Sequence, residues 1–139
     1  MRIGELSQHS GADRGSAHWA AAREEAAALV AAYGWMVDPA SVGLDLVADA
    51  LSALRSLQVT EPLDQIDKYA DLARSLAHVE VASIIAGDDP ARRMELVVVG
   101  TVLGEALFAA LRLLAHQHES AVQLGYDPTE CPPRGQETG

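Results

Sequence analysis

The sequence predicts an all-α protein: a compact bundle of about four helices with a long apolar C-terminal helix at its centre and flexible termini. Three observations predict it. Apolar residues recur at spacings of three and four through most of the 139 positions, the period of a helix face and not the alternation of a strand. The apolar fraction is 49%, much of it alanine, and only 4% of residues are aromatic. That composition suits closely packed helices, whereas a pleated sheet favours threonine and aromatic side chains. Glycines at 34 and 87 and Asp-Pro pairs at 38–39 and 89–90 divide the chain where helices stop and start.

The first helix is expected from Ser16 to Tyr33, with Ala20, Arg23, Ala27 and Val30 marking its period and Gly34 ending it. The second is announced by Asp38-Pro39, an acceptor for free amides followed by a residue that loses nothing in the first turn. Val42, Leu46, Val47, Ala50, Leu51, Leu54 and Leu57 read as its apolar face, with Asp45 and Asp49 on the other side. The third follows Thr60-Glu61-Pro62 and runs to Gly87, turning Ile66, Ala70, Ala73, Ala77 and Ile84 inward. The fourth opens with Asp89-Pro90 and continues to Ser120 or Gly125. Residues 1–15 are expected to be flexible, 16–125 to form one bundle domain, and 126–139 to be a disordered Pro/Gly-containing tail.

The fourth helix is the unusual one. Residues 96–114 hold only two charges, Glu105 and Arg112, a length near that of a membrane span. Both charges would lie deep in hydrocarbon, and the flanks lack a basic cluster. A buried helix in a soluble protein is therefore expected, and no membrane partner. Gly100 and Gly104 sit one turn apart, a costly pair in a helix unless another helix comes close. That helix belongs to the same chain or to a second copy, which makes a homo-oligomer, in the first place a homodimer, the expected state.

The net charge of −10 includes eight acids against four lysines and arginines over 61–95. A nucleic-acid backbone needs a basic face, so nucleic acid is excluded and a protein partner with a basic surface fits better. Cys131 is the only cysteine, so neither an internal disulfide nor a thiolate cluster can form. The first residues contain no apolar run of the kind a secretory signal has, and a cytoplasmic setting is expected.

At about 100° per residue, Thr101, Glu105, Arg112, His116 and Glu119 fall within a sector of roughly 60° on the fourth helix. Such a stripe is either a ladder of ion pairs facing solvent or a second subunit, or the floor of a site. Glu80 bears on that choice, because it interrupts the apolar face of the third helix between Ala77 and Ile84. A glutamate seldom goes inside without a partner. The catalytic candidates are accordingly Glu80, Glu105, Arg112 and His116, in a pocket between the third and fourth helices. His116 would move a proton, Arg112 would hold an anionic group of a small-molecule ligand, and the carboxylates would orient the histidine or act as base. No cofactor or metal is expected. Helical di-metal sites use Glu-x-x-His, and this chain has only the reverse, His116-x-x-Glu119. Asp64, Asp67 and Asp71 share a face but stand among Lys68 and Arg74, which reads as a solvated charged surface.

Three functions remain open at this point. The first is a binding, regulatory or accessory protein acting as a homodimer. The second is a small enzyme or ligand carrier using that pocket. The third is a structural subunit that exposes apolar area on its second or fourth helix.

Overall fold

The computed structural model describes residues 14–130, and among them there are five α-helices and no strand. They are α1 (Ala17–Ala32), α2 (Val42–Ser56), α3 (Glu61–Asp64), α4 (Ile66–Ile85) and α5 (Pro90–Leu124). The expected flexible termini and Cys131 lie largely outside the described residues. Where the ends are described, they are tied by specific bonds: Arg14 to Asp49, and Asp127 to the Thr129 amide at 2.8 Å. Contacts divide the chain into two units, with the boundary between Arg74 and Ser75, inside α4.

The first unit is built on the hairpin of α1 and α2. Ser16 caps α1 by accepting from the Trp19 amide at 3.1 Å, and Gly34 ends it with a positive φ of 67°. The Trp35 amide then reaches back to the Val30 carbonyl at 3.0 Å, which satisfies an acceptor in the last turn. Helix α2 starts three residues after Pro39, later than its Asp-Pro signal implies. Asp38 spends its carboxylate on the Ala40 amide at 2.9 Å, and Ser41 caps the helix through the Gly43 amide at 3.2 Å. Two acceptors three residues apart compete for the same task; the first made a turn and the second a cap. A further difference is the break at Gln65, which splits the expected third helix into α3 and α4. The Gln65 carbonyl accepts from Lys68 and Tyr69 at 3.0 and 3.2 Å and starts a new helix there.

The core of this unit is made of small side chains. Ala22 and Ala48 are 0% exposed and Ala26 is 1% exposed, so the two backbones approach without bulk between them. Leu44, Leu51 and Ala70 complete the buried set, with Trp19, Leu63 and Ile66 packed on its flank. The hairpin is antiparallel: Trp19 meets Asp49, and Arg23, four residues on, meets Asp45, four residues back.

The second unit contains the end of α4 and all of α5. The junction between them is well determined by chemistry. Asp89 caps α5 by accepting from the Ala91 amide at 3.0 Å, and Pro90 occupies the first turn. Arg93 donates to the carbonyls of Gly87 and Ile85, the latter at 3.2 Å, placing a cation at the negative end of α4. Gly125 ends α5 with a φ of 71°. The helix is 35 residues long, about 52 Å at 1.5 Å per residue. No residue over 75–130 is buried. The apolar surface of α5, expected to be enclosed, is open along its length in the isolated chain.

Candidate functional site

Asp45 and Asp49 do not face away from α1, as their place on the second helix suggested. Both lie at the edge of the α1–α2 contact. Asp49 receives Arg14 through two bonds, at 3.1 and 2.6 Å, and the Trp19 indole N–H at 2.9 Å. The Arg14 guanidinium also lies 5.9 Å from the Trp19 ring centroid. Asp45 takes Arg23 at 2.7 Å, and Arg23 donates as well to the Pro39 carbonyl at 2.8 Å. Arg55 pairs with Glu25 across the same hairpin. Each of the three arginines pairs with a carboxylate across the hairpin, so the cluster acts as a clamp on the fold. Sequence periodicity missed it because a residue at the margin of an apolar face looks the same as one on the wet side until the partner helix is placed.

Arg14's hydrogen bond holds the Asp49 carboxyl below its ordinary value, against the opposing effect of burial, with the Trp19 bond and the Arg14 charge adding to the lowering. A depressed native value contributes stability above the unfolded carboxylate range, near pH ~4, and that contribution is lost as pH falls through the depressed value. Asp49→Asn is therefore expected to melt below wild type at pH 7, with the gap closing below about pH 4. Thermal melts across that range check it. A gap independent of pH would show that Asp49 does not act through its charge.

The four catalytic candidates all fall in the second unit, but they do not converge. Glu80 is exposed, not inside, and its Oε1 lies 3.7 Å from the point where a Gly104 Cβ would be. Glu80 thus marks the face of α5 that looks toward α4. Glu105, Arg112 and His116 are turned about 80–120° from Gly104 around the helix, and all three are exposed. His116 is also twelve residues beyond Gly104, about 18 Å along the axis. Of the four, His116 lines a depression of about 430 Å³ together with Glu119, Ser120, Gln123 and Leu124, all of them on α5.

Nor does the stripe form an ion-pair ladder within the chain. Among the described residues the ion pairs are Arg14–Asp49, Arg23–Asp45, Arg55–Glu25 and Arg92–Glu95, and Glu105, Arg112 and His116 take part in none. Thr101 donates its hydroxyl to its own helix, at the Val97 carbonyl 2.6 Å away, and Glu119 accepts from Gln123 at 3.2 Å. Gly100 has nothing within 4 Å of a built Cβ, and Gly104 only the flexible end of Glu80, so among the described residues no other helix backbone comes close to the glycine pair. Among the described residues no three metal-ligating side chains gather in one place.

What the unit does present is apolar surface. Thirteen large hydrophobic side chains of α5 are each at least 44% exposed. By length and composition α5 is also apolar enough to cross a bilayer, with a mean hydropathy of 1.9 over an 18-residue window that is 0% buried. Comparison with protein-family models, with curated proteins and with solved structures returns no match to this chain.

Proposed function

We propose that the chain is a small helical binding or accessory protein that works as a homodimer, with α5 as its association surface. The observation that carries this reading is the uncovered apolar face of α5. Thirteen half-exposed large side chains, spread around the helix, amount to on the order of 1,000 Å² of apolar area, and exposed apolar surface on that scale marks an interaction site. A net charge of −10 supports a protein partner with a basic surface as the cargo of that dimer. The alternative, an enzyme or carrier gripping an anionic small molecule through Glu80, Glu105, Arg112 and His116, has weaker support, since the helix turns Glu80 away from the other three.

Sedimentation velocity of the full chain in detergent-free buffer tests the reading. A dimer mass at micromolar concentration is the expected result. A monomer, or protein recovered only with detergent or lipid vesicles, would overturn it, the second result in favour of a membrane helix.

A further inference from the structure

Glu105 and Arg112 are the two charges within the apolar stretch 96–114. They have opposite signs, lie two turns apart, point within about 20° of each other, and take part in no ion pair of the described chain. We propose that α5 pairs antiparallel with α5 of a second copy across a two-fold axis at Phe108–Ala109, so that Glu105 of each copy meets Arg112 of the other. This rests on the homodimer reading and goes further, by fixing the face, the direction and the register.

The stripe is self-complementary in this register and in no simple alternative. A two-fold axis makes the same patch face itself in reverse order, so Glu105 and Arg112 exchange partners twice, on either side of Phe108. The same register sets Thr101 opposite His116, two further members of the stripe. A parallel pairing would set Glu105 beside Glu105 and Arg112 beside Arg112, like charges in a desolvated contact. Shifting the axis to match Arg112 with Glu119 would carry the position opposite Glu105 past Leu124, the last residue of α5, and leave a carboxylate unpaired among apolar side chains. The contact with α4 does not compete, because α4 approaches on the Gly104 side, about a quarter-turn away. Phe108, the only phenylalanine in the chain and 50% exposed, lies at the centre, where buried aromatic anchors of interfaces belong.

Charge reversal tests the register. Glu105→Arg and Arg112→Glu, each alone, place two like-charge contacts in the dimer and are expected to weaken it about a hundredfold. The double variant, and an equimolar mixture of the two single variants, restore both attractive pairs and are expected to return the dimer mass seen by sedimentation. If a single variant loses helix content by circular dichroism, co-refolding it with the other is expected to restore both helix content and dimer mass. A dimeric wild type whose single variants remain dimeric, or whose mixture stays dissociated, would overturn the register and leave the homodimer standing. A monomeric wild type would remove both.

Discussion

Replacing Ala48 with leucine is expected to unfold the α1–α2 hairpin. Ala48 is 0% exposed and sits against Ala22, itself 0% exposed, in the cluster that Leu51 completes. The backbones are close because methyl groups are all that separates them. Three further carbons have nowhere to go without driving the helices apart, and parting them would stretch the Trp19–Asp49 and Arg23–Asp45 bonds at 2.9 and 2.7 Å. Overpacking costs about 1–3 kcal/mol in an ordinary core, and the upper end applies where both walls are backbone. Against the total of roughly 5–15 kcal/mol that holds a domain together, such a loss is severe. Ala53→Leu, on the exposed side of the same helix, is the control and should melt with wild type. Urea melts of the two variants decide the matter: a loss under about 1 kcal/mol for Ala48→Leu would mean that the hairpin can open and that its alanines are not in tight contact.

Dilution should destabilise α5 and spare the hairpin. If a second copy covers the second unit, its folding is an association, and each tenfold dilution removes about 1.4 kcal/mol from the stability of the dimer. The first unit has a core of its own and no such dependence. Circular dichroism melts over a hundredfold range of concentration are expected to show an early transition that moves and a later one that stays. Phe108→Asp should put the early transition where infinite dilution would, because it buries two carboxylates at the centre of the interface. Two transitions that both ignore concentration would sink the association account.

The ends of the helices were legible in the sequence because local chemistry decides them. Ser16, Gly34, Asp89-Pro90 and Gly125 act as the cap and stop residues they look like. Local signals misled where two of them compete, at Asp38 and Ser41, and where a single residue, Gln65, breaks a helix with no glycine or proline at that position. The tertiary level was less legible. Periodicity identifies an apolar face but not what covers it, so α5 read as enclosed when this chain leaves it open. The same ambiguity put Glu80 inside and Asp49 on the wet side, whereas Glu80 is exposed and Asp49 is partly buried at the edge of the α1–α2 contact. The stripe on α5 survives as a real feature, but its interpretation turned on one contact, Glu80 with Gly104, which shows that α4 lies to one side of it.

The division of labour between hairpin and long helix has a consequence during synthesis. The ties of the α1–α2 hairpin join residues 22 to 35 positions apart, so it can close as soon as residue 56 clears the ribosome, by a first-order step that no other molecule influences. Residues 90–124 follow later, over a few seconds at 5–20 residues per second. The segment with the greatest tendency to stick is thus made after the hairpin can fold, and if a second copy covers it, chains made in succession on one messenger would supply that copy at high local concentration. Reversing the order of the two halves would leave the same contacts available and lengthen the interval in which α5 is open to the wrong partner.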